Sequence, residues 1–169
     1  MRDHERRSRS SAAPELRLIR AVERQRRARR WLGQGARGLG AVSLLAVGAV
    51  HLEQYVTVYS AIPTIGLLFV LNFAGATAIA LGLLAPIGRI FGRFAGAILA
   101  FLSLGGVGLA VTAFVFLLVS ERTPLFGFME PGYDPPAILA SRVAESATVV
   151  FLGGFLVARC VRRLRLGRW

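Results

Sequence analysis

Lysine is absent from this 169-residue chain, so every one of its 21 cations is arginine, a bias that fits a GC-rich genome and implies no mechanism. Cysteine occurs once, at Cys160, which excludes an internal disulfide and a cysteine-rich metal site. It lies among arginines, either filling space as a small apolar residue or carrying an acyl chain. Histidine occurs only at His4 and His51, which argues against bis-histidine haem within one subunit. One histidine with carboxylates is also a poor zinc set. No serine is placed with a base for nucleophilic catalysis. The expectation is therefore no metal, no cofactor and no catalytic residue. Acidic residues number nine, leaving a formal net charge of +12.

Charge is nearly missing from four long stretches, about 38–59, 62–87, 94–120 and 137–157. A hydrocarbon core about 30 Å thick needs roughly 20 apolar helical residues to cross it. Backbone groups in lipid must be paired within the segment, so helices are the expected form. The sequence thus predicts an all-α integral membrane four-helix bundle (38–157). An arginine-rich leader (1–37) precedes it and a basic tail (158–169) follows.

The arginines orient these spans. Twelve fall in 1–37, two (Arg89 and Arg93) between the second and third spans, and five in 158–169, which is nineteen of 21. The stretch 121–136 carries only Arg122 against Glu121, Glu130 and Asp134. The positive-inside bias predicts cytoplasmic termini and a cytoplasmic middle loop, in a cell membrane crossed four times. The leader reads as disordered over 1–14. From Glu15 to Leu32 it reads as a basic helix, with Glu23 placed to pair with Arg27. It is long and polar, which does not suit a cleaved secretory signal. Arg29-Arg30-Trp31-Leu32 has a twin-arginine flavour, but the polar residues His51, Glu53 and Gln54 suit a retained helix. With twelve arginines less Asp3, Glu5, Glu15 and Glu23, the leader's charge is +8. Anionic lipid headgroups are its expected partner. A nucleic-acid arm would want aromatic interleaving, and there is none.

Two patterns need weighing against plain structure. Gly33-Gln34-Gly35-Ala36-Arg37-Gly38 spells G-x-G-x-x-G, but a dinucleotide site needs a preceding strand and here arginines precede. Small residues recur at helical spacing (Ala74, Ala78, Gly82; Gly96, Ala100; Gly108, Thr112), as helices approaching closely in lipid require. Gly105-Gly106-Val107-Gly108 is the expected point of close packing or bending in the third span.

The polar residues within the spans fall at matched depths. By helical rise, His51 lies about 12 Å inward from the outer end of the first span, and Asn72 about 15 Å from the start of the second. Thr112 and Glu145 each lie about 12 Å below the outer ends of the third and fourth. Intramembrane ionisable groups are costly and tend to face the bundle interior. One expectation is therefore an outward-opening polar pocket of His51, Tyr55, Asn72, Thr112 and Glu145, with Glu53 and Glu130 at its mouth or in the outer loop. The alternative is structural: Glu145 neutralises Arg142 three residues away, and His51 and Asn72 bridge helices. The loop from Thr123 to Pro136 mixes aromatics with turn formers, either as an interfacial belt or as a lid. Pro136 suits the start of the last helix.

Certain stretches resemble a family of four-helix membrane proteins from high-GC Gram-positive bacteria. They are His51-Leu52-Glu53-Gln54-Tyr55, Ile62-Pro63-Thr64-Ile65-Gly66-Leu67-Leu68-Phe69-Val70-Leu71-Asn72, Leu125-Phe126-Gly127-Phe128-Met129-Glu130 and Val143-Ala144-Glu145. The resemblance covers roughly 38–157, implies the four-helix fold and implies no particular activity. A likeness to DoxX-type proteins rests on topology alone. Two functions stay open. One is a non-enzymatic membrane protein that binds a partner, lipid or small ligand through the polar cluster, alone or as a homo-oligomer. The other is a proton-coupled transporter or redox-linked enzyme using His51 and Glu145, since imidazole titrates near neutral pH.

Overall fold

The computed structural model describes the backbone of residues 2–130, 132 and 134–166, and the side chains at 20, 23–25, 27–28, 31–130, 132 and 134–164. Its helices are α1 (Arg2–Thr57), α2 (Pro63–Leu84), α3 (Ile87–Phe91), α4 (Ala95–Ser120) and α5 (Pro135–Leu166), with 3-10 turns at Tyr59–Ala61 and Gly92–Phe94. No strand occurs among the described residues, only an isolated bridge between Leu125 and Phe128. The chain divides into two units, Met1–Gly35 and Ala36–Trp169. The backbone of the first is helical over its described residues.

Four segments are long and apolar enough to cross a membrane: Trp31–Thr57, Pro63–Leu84, Ile87–Ser120 and Pro135–Leu164. The chain is an all-α, multi-pass membrane protein. Its breaks have local causes. Pro63 stands at the first position of α2, where its missing N–H costs nothing. Ala85 then turns extended ahead of Pro86 and ends that helix. Gly92, at φ +46°, separates α3 from the turn leading into α4. The last helix starts one residue before Pro136 because Asp134 caps it: its Oδ1 accepts the Ala137 N–H at 3.0 Å.

Packing in the second unit is uneven along the helices. Ala41, Leu44, Ala76, Ala80, Leu83, Leu99, Leu152 and Phe155 form a closed core toward the end that carries Arg89 and Arg93. Small residues let the helices meet there. A Cβ at Gly106 would lie 2.8 Å from Leu152 Cδ1 and 3.2 Å from Leu44 Cδ2. Ser103 and Thr148, both fully buried, donate to carbonyls of their own helices and leave nothing unpaired. At the same end Arg159 donates to the Gly96 carbonyl at 2.9 Å and ties α5 to the start of α4. Cys160 is exposed there. The close packing expected of 105–108 is tightest at Gly106 and does not extend to Gly108, where a Cβ meets nothing within 4 Å.

Candidate functional site: a roofed cavity in the bundle

Beyond this core the same four helices diverge around a cavity of about 360 Å³. Its first wall is the last two turns of α1, with Val50, His51 and Gln54. The second is the start of α2, with Ile65, Leu68, Phe69, Leu71 and Asn72. The end of α4 contributes Gly108, Leu109, Thr112, Ala113 and Phe116, and the start of α5 contributes Ala137, Ile138, Ser141 and Glu145. Tyr59, Leu125, Phe128 and Glu130 close the end nearest the 121–134 loop.

That end is a roof, built from aromatics and hydrogen bonds. The Tyr59 ring stacks on Phe69 at 4.6 Å between centroids and meets the edge of Phe128 at 5.5 Å. The Tyr59 hydroxyl donates to buried Glu130, whose other oxygen accepts the Gly132 N–H at 2.9 Å. The Glu130 N–H donates to the Ser120 carbonyl at 2.8 Å, fastening the loop to the end of α4. Leu125 and Phe128 exchange backbone hydrogen bonds across Phe126 (φ +51°) and Gly127 (φ +80°). Positive φ at both central residues is the tight-hairpin geometry, uncommon for phenylalanine. On the far side Gln54 Nε2 donates to Asp134 Oδ2 at 2.9 Å.

Inside, the polar groups are only partly satisfied. His51 Nδ1 bonds the Val47 carbonyl at 2.8 Å. A carbonyl can only accept, so Nδ1 carries the proton and Nε2 of the neutral ring is left as an acceptor. Its ring lies 5.1 Å from that of Phe69. Glu145 is 1% exposed, and its Oε1 accepts from Ser141 Oγ at 2.9 Å. Its Oε2 is buried without a partner, as is Asn72 Oδ1. An unpaired buried charge is expensive, roughly 2.5–3.5 kcal/mol at mid-membrane on insertion scales.

Four of the five pocket residues expected from sequence, His51, Asn72, Thr112 and Glu145, line this one cavity. Tyr55 does not: its ring packs over Gly66, with Cε2 3.3 Å from where a Cβ would stand. Helix α1 ends at Thr57, and the 3-10 turn after it brings Tyr59 into the wall instead. Glu53 is exposed and accepts from Gln54 Nε2, away from the cavity. Glu130 is in the roof. Arg142 makes its ion pair with Glu121 and acts on Glu145 only through its charge, while Glu145 accepts from Ser141. His51 and Glu145 make no ion pair within 4.0 Å. At the end nearest the 121–134 loop, Leu125, Phe128, Ala137 and Ile138 are half-buried. Among its lining residues only Leu71, Gly108 and Thr112 are exposed, all within the spans of α2 and α4.

Sequence reasoning passed over Gln54, Tyr59 and Ser141. Gln54 follows His51 by three and Ser141 precedes Glu145 by four, spacings that share a helix face and could have flagged both. Tyr59 gave no such signal, because its place depends on where α1 stops. Among the described residues no group of three His, Cys, Asp or Glu side chains could hold a metal ion. Compared with protein-family models, curated proteins and solved structures, the chain matches none.

Proposed function

We propose that this protein binds a small amphipathic ligand inside the bilayer, in the cavity between α1, α2, α4 and α5. The observation that carries this reading is the cavity itself, apolar and aromatic on most of its wall with a few buried polar groups. Its 360 Å³ falls in the range of roughly 300–1,000 Å³ typical of small-molecule sites. The proton-coupled and redox-linked alternatives draw less support, since His51 and Glu145 do not pair. Orientation belongs to the same reading. Both termini and the Arg89–Arg93 loop face the cytoplasm of a bacterial cell, the leader rests on anionic headgroups, and the roof faces outward.

The test is saturable binding by the full chain in phosphatidylcholine nanodiscs, read by native mass spectrometry against decanol, decylammonium and decanoate. At least one is expected to bind at one per chain, and Ala113→Phe, which places a ring in the cavity wall, to weaken it about tenfold or more. If none of the three saturates, or if Ala113→Phe binds as wild type does, the cavity is not a binding site.

A further inference from the structure

The cavity's chemistry is opposite in sign to the rest of the molecule. In a chain with 21 arginines and nine acids, its described lining includes Glu130 and Glu145 and no arginine. Glu130 is already engaged by Tyr59 and Gly132, so Glu145 is the carboxylate with capacity to spare. Of the described buried side-chain atoms without a partner, the one donor, Arg142 Nε, belongs to a residue outside the lining. Glu145 Oε2, Asn72 Oδ1 and His51 Nε2 are all acceptors, on three different helices around one space. A headgroup that satisfies them must donate several hydrogen bonds. The aromatic residues Phe69, Tyr59, Phe116 and Phe128 complete the lining, and aromatic rings attract cations.

Access is from the side. The roof is fastened by hydrogen bonds and buried at Gln54, Tyr59, Ser120 and Glu130, with Leu125 and Phe128 half-buried. The three exposed lining residues, Leu71, Gly108 and Thr112, lie on α2 and α4 within the apolar spans, where the surroundings are acyl chains. A ligand reaching the cavity there is already dissolved in the membrane.

We infer that the ligand is a membrane-partitioned primary or secondary amine, a lipophilic organic cation whose ammonium N–H groups bond Glu145 and Asn72 and which enters between α2 and α4. This rests on the binding reading above and adds the class of headgroup and the route. A quaternary ammonium fits less well, because it offers no donor to the open oxygens. An anion or a bare hydroxyl leaves the carboxylate uncompensated.

The decisive comparison uses the full chain in the same nanodiscs with decylammonium, decyltrimethylammonium, decanol and decanoate at equal mole fraction in the bilayer. Decylammonium is expected to bind about tenfold or more tighter than decanol or decyltrimethylammonium, the difference a charge-assisted hydrogen bond makes, with decanoate weakest. Glu145→Gln is expected to bring decylammonium down to the decanol level while decanol binding persists, which also shows that the variant is folded. The wild-type series decides the matter even if that variant misfolds. Equal or stronger binding of decanol, decyltrimethylammonium or decanoate in wild type overturns the amine assignment, as does a preference retained in Glu145→Gln. Binding without headgroup preference that Ala113→Phe still blocks would end the amine assignment and leave the binding reading standing; no binding at all would end both. Gly108→Leu, which narrows the side opening without meeting a neighbour, is expected to slow decylammonium entry at least fivefold; unchanged entry overturns the lateral route.

Discussion

Glu145 and Glu130 show how differently two buried carboxylates can be treated within one cavity. Glu130 is clasped by a tyrosine hydroxyl and a backbone N–H, and the clasp holds the loop over the bundle. Glu145 has a single serine and an open oxygen. Removing the clasp should therefore affect stability more than binding. Tyr59→Phe keeps the stack on Phe69 but takes a donor from buried Glu130, at a cost of about 1–3 kcal/mol. A lower midpoint of unfolding is expected, with faster hydrogen exchange at Leu125, Phe128 and Glu130; a midpoint and exchange rates equal to wild type would show that the clasp contributes nothing. At this scale the sequence was informative where a polar residue interrupts an apolar span, as at His51, Asn72, Thr112 and Glu145. It was silent where placement depends on a neighbour's contact, as with Arg142 choosing Glu121 over Glu145.

On a single helix two residues, about 200° of rotation, separate a packed face from an open one. On α4, a Cβ at Gly106 would strike Leu152 and Leu44, whereas one at Gly108 would enter open space. The two glycines look alike in the sequence, and only the partner helices tell them apart. Gly106→Val should overpack the core and cost about 1–3 kcal/mol. Gly108→Val at the cavity edge should cost much less, so thermal unfolding of the pair in one detergent checks the asymmetry. Equal losses would place the core boundary wrongly. The last helix begins one residue before Pro136, where the sequence placed its start, because a proline's missing N–H is tolerated in a first turn. The end of α5 was not readable. Its apolar run stops near Val157, yet the helix continues to Leu166 through arginines that are themselves good helix formers.

For the whole molecule, one half of the membrane domain is a closed core and the other a roofed chamber whose exposed lining residues lie on α2 and α4. Four spans could be read from hydropathy, since it follows from the cost of charge in hydrocarbon. The exposed part of the lining on α2 and α4 could not, because it depends on which residues the neighbouring helices leave uncovered. Orientation can be checked with the native Cys160 replaced by serine. Thr123→Cys in that background should react with a membrane-impermeant maleimide on intact cells, and Gly88→Cys only after permeabilisation. The reverse pattern would invert the protein in the membrane.

The most direct test of a chamber open to the bilayer is photo-crosslinking with a decylamine bearing a diazirine near its amine, applied to the full chain in nanodiscs and mapped by mass spectrometry. Adducts should concentrate on Asn72, Thr112 and Glu145 and disappear with excess decylammonium. Adducts spread instead over outward-facing positions such as Phe101 and Val150, and insensitive to the competitor, would contradict it.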